Sequence, residues 1–258
     1  MTDDVHPIGI FGDWHGEVGF GIDAIRSAAA DGVRTMIHVG DFPLDWPGAL
    51  RGRFEQRLNK QLVEHDIRLI VSPGNHDNWD TILKLPVGDS GLITWRSNIF
   101  VLPRGGRTVV EGLVFGGLGG AYSVDQQWRT EGKSWWAEEE PTTEEAEKLI
   151  ADGAVDVLIT HDAPAGVPLQ SGFELTPEVE KRANQTRVLL RDVVDQLQPG
   201  LVFCGHWHQR RIHDVHHPSE QTTTVHVLAD EDSRAGNAVL LWPGETPFRV
   251  EPMIARGS

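Results

Sequence analysis

Short apolar runs recur along the chain, separated by amphipathic or turn-rich stretches, and several of them end on polar residues of similar chemistry. Ile8–Phe11, Met36–Val39, Ile67–Val71, Val155–Thr160 and Leu201–Cys204 are rich in β-branched residues and bounded by glycine or polar turns, the pattern of buried strands. Ile22–Ala30 is alanine-rich and suits a helix. Residues 48–64 suit a second, with Phe54, Leu58, Leu62 and Val63 on one apolar face. With the second strand running Thr35–Val39, the opening reads β-α-β-α-β. That order predicts a largely parallel sheet with right-handed crossovers.

The middle of the chain changes character. Ile99–Leu102, Arg107–Val110 and Leu113–Phe115 are short apolar segments between glycine-rich turns, as in hairpins, and a second sheet is expected to begin there. Gly116–Pro141 shows neither a helical nor a strand period and reads as a long functional loop, a candidate cap. Thr142, Thr143 and Glu145 resemble a capping box and predict a helix over Thr142–Asp152. Pro177–Leu197 predicts a long amphipathic helix stopped by Pro199-Gly200, and Leu201–Val250 predicts four or more short strands. Without repeats or an interdomain linker, residues 1–258 are expected to form one domain.

The residues that follow the strands carry the chemistry. They are Asp13-Trp14-His15, Gly40-Asp41, Gly74-Asn75-His76-Asp77, His161-Asp162 and Gly205-His206-Trp207-His208. The carboxyl edge of an open α/β sheet is where ligands bind. Taken singly, each segment is weak evidence, since Gly-Asp is usually a turn and His-x-His is usually surface decoration. Five independent turns all supplying hard or borderline donors are harder to assign to accident. Two divalent ions about 3.5–4 Å apart can clamp the attacking and leaving oxygens of a phosphoryl displacement. Such a pair needs a bridging carboxylate and neutral imidazoles, which this donor set supplies. A structural zinc site would draw on cysteines, and Cys204 is the only one, so no intramolecular disulfide can form.

The order Asp-x-His, Gly-Asp, Gly-Asn-His-Asp, His and Gly-His-x-His, spread over residues 13–208, resembles the calcineurin-like metallophosphoesterases. The resemblance implies an α/β fold in which two mixed β-sheets pack as a sandwich flanked by helices, with a dinuclear centre at the C-terminal strand edge. It implies that Asp13, His15 and His208 hold one metal, that Asn75, His161 and His206 hold the other, and that Asp41 bridges them. It implies two divalent ions, Mn²⁺ first, with Fe or Zn²⁺ as alternatives. The activity implied is hydrolysis of a phosphomonoester or phosphodiester by in-line attack of a metal-bridging hydroxide, without a phosphoenzyme. His76 matches the family's acid and could protonate the leaving group, with Asp77 or Asp45 orienting it.

Gly12-Asp13-Trp14-His15-Gly16 also looks like the opening block of the serine/threonine protein phosphatases of the same superfamily. Their second block carries an arginine that Gly40-Asp41-Phe42-Pro43-Leu44-Asp45 lacks, and their third ends in glutamate where this chain has Asp77. A phosphoprotein phosphatase and a nuclease therefore stand as alternatives to a small-ester hydrolase. A noncatalytic metal-binding scaffold is a further alternative, against which all seven ligand positions and His76 are filled.

Charge and composition narrow the partner. With 23 basic and 38 acidic residues the net charge is −15, which repels an extended nucleic acid and favours a small nucleotide-like phosphate ester. No run approaches the roughly 18 apolar residues of a membrane span, and the Thr2-Asp3-Asp4 opening is unlike a secretory signal, so a cytoplasmic location is expected. Oligomeric state is left open. Within Gly116–Pro141, Tyr122, Asp125, Arg129, Trp135 and Trp136 are the candidate substrate contacts, aromatics to stack on a base or sugar and Arg129 to meet a phosphate oxygen. The competing reading has Trp135 and Trp136 sealing the edge of the second sheet. The Gly116–Gly120 cluster lacks a Walker lysine and is not a phosphate cradle.

His38 and Cys204 are expected in the core, His216-His217 in a solvated hairpin and Arg104 on an exposed turn. Glu138-Glu139-Glu140 reads as the acidic lead-in to a helix. The terminal Gly257-Ser258 reads as a cloning scar.

Overall fold

A computed structural model describes residues 6–172, 174–233 and 235–254; the Thr2-Asp3-Asp4 opening and Gly257-Ser258 lie outside them. The first half runs β1 (Ile8–Phe11), α1 (Val18–Ala30), β2 (Thr35–His38), α2 (Arg53–Glu64), β3 (Arg68–Val71), α3 (Trp79–Ile82), β4 (Ile93–Thr94) and β5 (Ile99–Val101). It continues through β6 (Gly106–Val110), β7 (Leu113–Leu118), α4 (Thr143–Ala151), β8 (Val157–Thr160), α5 (Pro177–Leu197) and β9 (Leu201–Cys204). The tail is β10 (Arg211–His216), β11 (Thr222–Val227), β12 (Ala235–Trp242) and β13 (Arg249–Ile254).

These strands form two mixed sheets, ordered β13-β12-β1-β2-β3-β5-β4 and β10-β11-β9-β8-β7-β6. Strands β1, β2 and β3 are mutually parallel at the centre of the first sheet, and β7, β8 and β9 are parallel in the second. Side chains alternate across each strand and so divide between two cores. Ile8, Ile10, Ile37, Val39 and Ile70 meet Phe115, Val157, Ile159 and Phe203 between the sheets. On the outer face of the first sheet, Phe11, Met36 and Leu69 pack under α1 and α2; on that of the second, Leu158, Val202 and Cys204 pack under α4 and α5. The result is the α/β/β/α sandwich that the family resemblance implies.

Several local expectations are corrected. The second sheet begins at Gly106, not Ile99, because β5 pairs in parallel with β3 through Leu69 and Ile99. Val63 is 52% exposed: adjacent helical residues sit about 100° apart, and Leu62 takes the buried direction. Strand β7 runs on to Leu118, so the irregular loop begins at residue 119. The Arg104 side chain is buried, its guanidinium 3.9 Å from the Trp79 ring and its Nε 3.1 Å from Glu145. His217 is buried as well, its Nε2 2.8 Å from Thr223 Oγ1, whereas its neighbour His216 is exposed. His38 and Cys204 are in the core as expected. The capping box at Thr142 is formed in both directions. No helix among the described residues is long and apolar enough to cross a membrane.

Candidate metal centre

Five parallel strands deliver the candidate donors from their carboxyl ends: β1, β2 and β3 from one sheet, β8 and β9 from the other. The ligand atoms of Asp13, His15 and His208 lie within 4.8 Å of one another, and so do those of Asp41, His161 and His206. The groups adjoin, with Asp41 Oδ2 3.5 Å from His15 Nε2 and Asp41 Oδ1 3.2 Å from His161 Nε2. Asn75 joins the second group, its Oδ1 3.1 Å from His161 Nε2. The structure thus brings together all seven residues.

The backbone is bent to achieve this. His15, Asp41, His206 and His208 have φ of 39°, 55°, 64° and 51°, a left-handed region that non-glycine residues enter at a cost. Four such conformations concentrate backbone strain in one site. Two glycines let the turns close: a side chain at Gly74 would begin 2.2 Å from Asp41 Oδ1, and one at Gly205 would begin 2.0 Å from Asp13 Oδ1. Asp13 is wholly buried, and its Oδ1 has no hydrogen-bond partner among the described residues. A buried carboxylate oxygen with no donor is costly unless a cation answers it, so the residues fit a metal pair.

Three of the four imidazoles are held from behind. His15 Nδ1 lies 2.8 Å from Glu231, His208 Nδ1 lies 3.2 Å from Asp230, and His161 Nδ1 lies 2.9 Å from the Val39 carbonyl. These contacts leave the Nε2 of His15, His208 and His161 facing Asp41 or Asp13. Asn75 is oriented differently: its Nδ2 donates to Ser123 Oγ at 2.9 Å, and Ser123 donates through Oγ and N to the Glu139 carboxylate at 2.8 and 2.7 Å. Glu139, within the acidic lead-in to the following helix, is a buried group, raised by burial to about 7. Sequence reading missed Ser123, Glu139, Asp230 and Glu231, because nothing local distinguishes them from turn residues.

The charges are strongly coupled. Burial would lower His15, yet contacts with Asp41 and Glu231 outweigh it and hold the imidazole at about 11. Burial likewise opposes a charge on His161, which the Asp41 and Asp13 carboxylates hold up at about 9. Asp41 is pushed well below the ordinary carboxylate range, burial notwithstanding, by His161, His76 and His15. The protein alone thus balances Asp41 with protons on His15 and His161, while burial raises Asp13 to about 7; a cation pair would take the place of those protons.

His76 stands beside this floor. Its backbone N–H donates to Asp41 Oδ1 at 2.8 Å, its ring stacks on Trp46 at 5.8 Å, and Arg129 Nη2 lies 2.6 Å from its Nε2. Burial and Arg129 lower the imidazole to about 4 against the pull of Asp41. The orienting role expected of Asp77 is not seen: its two oxygens accept the backbone N–H groups of Leu44 and Gly74, both at 2.6 Å. Those amides tie the two ligand turns together, and burial raises Asp77 to about 7. Asp45 also faces elsewhere, pairing with Arg51 and accepting Thr81 Oγ1 at 2.6 Å.

The loop over residues 119–141 splits the expected substrate contacts. Tyr122, Arg129 and Trp135 line a cavity of about 500 Å³, and Asp125 anchors Arg129 at 2.7 Å. Trp136 is corrected: it is 1% exposed, packs edge-on to Trp46 at 5.5 Å and belongs to the core outside the first sheet. It seals that sheet rather than the second. A larger cavity of about 630 Å³ opens from His15 and His76 along Trp46, Leu50 and Phe54.

Residues 6–210 match the family described as calcineurin-like phosphoesterase. No curated relative matches the chain. Among solved structures, TT1561 of Thermus thermophilus superposes with a TM-score of 0.60 at 15% identity, over 98% of this chain and 100% of that one. A dimetal phosphatase from Danio rerio gives 0.57 at 11% identity, over 98% of both chains. GAP50, the anchor in the inner membrane complex of Plasmodium, gives 0.52 at 12% identity, over 98% of this chain and 86% of that one. At these identities the likeness is one of fold.

Proposed function

The chain belongs to the calcineurin-like phosphoesterase family, and from that premise we propose that it is a metal-dependent phosphoric ester hydrolase acting on a small, nucleotide-like phosphomonoester or phosphodiester. The observation that carries this reading is the convergence of seven donors from five strand ends around an unanswered Asp13 oxygen. Asp13, His15 and His208 would hold one ion, Asn75, His161 and His206 the other, and Asp41 both. Hard oxygens mixed with imidazoles suit Mn²⁺ first, and Fe or Zn²⁺ as well. When bound, such a pair acidifies water and neutralises charge on the phosphoryl oxygens.

Hydrolysis breaks the P–O bond to the departing arm, joins water's oxygen to phosphorus and delivers one proton to the departing oxygen. His76 is the donor of that proton in this reading. Its position is fixed by the bond from its amide to Asp41 and by Trp46 beneath its ring. Arg129 lies against the imidazole, and an entering phosphoryl oxygen would accept that guanidinium and leave His76 free to carry the proton. The 119–141 segment, which carries Arg129, is proposed as a cap.

Release of nitrophenol from p-nitrophenyl phosphate and bis-p-nitrophenyl phosphate, with and without Mn²⁺, tests the reading. Turnover of at least one ester should require the metal and fall on the order of a thousandfold in Asp41→Ala. Turnover indifferent to both would overturn it.

A further inference from the structure

The larger cavity starts at His15 and His76 and runs outward between Trp46, Pro47, Leu50 and Phe54 to a rim formed by Arg51, Arg53 and Arg57. At about 630 Å³ it is within the ordinary range of small-molecule sites, about 300–1,000 Å³. His76, the proposed donor to the departing oxygen, lines its inner end, so an arm leaving on that oxygen would enter it. Its walls are aromatic and aliphatic; its rim is cationic in a chain whose net charge is −15.

The three arginines are not equivalent. Arg51 is answered by Asp45 in a two-point contact, and Glu55, the one acidic residue of the lining, is buried and accepts the Asp45 backbone N–H at 2.7 Å. Arg53 and Arg57 are exposed, stand one helical turn apart on α2 and are engaged by no carboxylate among the described residues. Residues four apart lie on the same helix face, so both guanidiniums can converge on one anion.

Resting on the phosphoesterase reading, we propose that this cavity receives the departing arm of the substrate and that Arg53 and Arg57 bind a second anionic group carried by that arm. The preferred substrate is then a phosphodiester of nucleotide size with a further phosphate on its leaving side, rather than a simple monoester.

The test compares the dinucleotide dTpdT with its phosphorylated forms pdTpdT and dTpdTp, which place the extra phosphate on one arm or the other. One phosphorylated form should show kcat/KM about tenfold above dTpdT, the scale expected of two partly solvated ion contacts, and Arg53→Gln with Arg57→Gln should bring the ratio to about one. Equal values for all three dinucleotides, or a ratio that survives the double substitution, overturns the inference. Hydrolysis of bis-p-nitrophenyl phosphate with none of the three overturns it while sparing the phosphoesterase reading. If no ester is hydrolysed, that reading fails, and calorimetry decides the cavity alone. Thymidine 3′,5′-bisphosphate should bind about tenfold more tightly than thymidine 5′-monophosphate, and the two variants should erase the difference. Equal affinities would refute it.

Discussion

The floor and the walls of this site are built on different principles. On the floor, Asp13, Asp41, Asn75 and His161 are at most 2% exposed, the turns that carry them touch at glycines, and four of the seven donors hold left-handed backbone. The walls, residues 46–57 and 119–141, carry their chemistry on longer side chains at the surface, with Arg53 and Arg57 exposed and Trp128 78% exposed. The floor is overdetermined, so a change there should cost turnover on every ester. A change in a wall should alter which ester is accepted and leave the floor intact.

The largest effect should come from Asp41, the residue that touches both halves. Asp41→Ala removes the contacts to His15 and His161 and the acceptor of the His76 amide. Turnover should fall on the order of a thousandfold, the upper end for losing one preorganised charge, and metal analysis should find both ions depleted. A variant that kept both ions would show that the two halves do not depend on the shared carboxylate.

Next comes His76, at the border between floor and wall. In His76→Ala, hydrolysis of an alkyl ester should drop about a hundredfold, while an activated aryl ester, which needs no proton on departure, should lose far less. Equal losses on the two esters would remove the acid role and leave His76 a packing partner of Trp46.

Ser123 and Glu139 sharpen the comparison from the other side, since the wall supplies them but they serve the floor. Through them Asn75 is turned so that its oxygen faces His161. Ser123→Ala should weaken one of the two ions about 10–100-fold, the usual range for an outer-shell partner, and leave the other in place. Titration of the metal-free protein with Mn²⁺ would resolve one weakened step from one unchanged step. Two equally weakened steps would mean that the segment supports the whole floor.

The same division explains what could be read along the chain. Floor residues follow strands that announce themselves by unbroken apolar runs; the β-α-β order places Asp13, Asp41 and Asn75 at one edge, and the family resemblance adds His161, His206 and His208 from the second sheet. Their backing is not legible in this way, because it depends on pairs brought together only by folding: Glu231 behind His15, Asp230 behind His208, Glu139 behind Ser123. Asp77 was misread for a related reason. Its position beside His76 in the sequence suggested contact, whereas the turn directs its carboxylate to the amides of Leu44 and Gly74. Trp136 lies in a loop with no period, which gave no sign that it would fill the space beside Trp46.

The smallest expected effect is also the most discriminating. Arg129 reaches from the 119–141 segment to His76 and is anchored by Asp125, but among the described residues it contacts none of the seven donors. If the cap selects substrate, Arg129→Gln should raise KM for a diester by about tenfold, the loss of one charge-assisted contact to a phosphoryl oxygen, with Mn²⁺ stoichiometry unchanged. It should also release the imidazole from a neighbouring positive charge. Arg129 holds His76 down, so its removal should move the His76 titration upward from about 4 in the metal-free protein, an effect visible in proton NMR of the ring. A rise in KM together with an upward titration would assign Arg129 to both the ester and the acid. If KM and metal content instead fell away together, the cap would be part of the floor, and the distinction between the two regions would not hold.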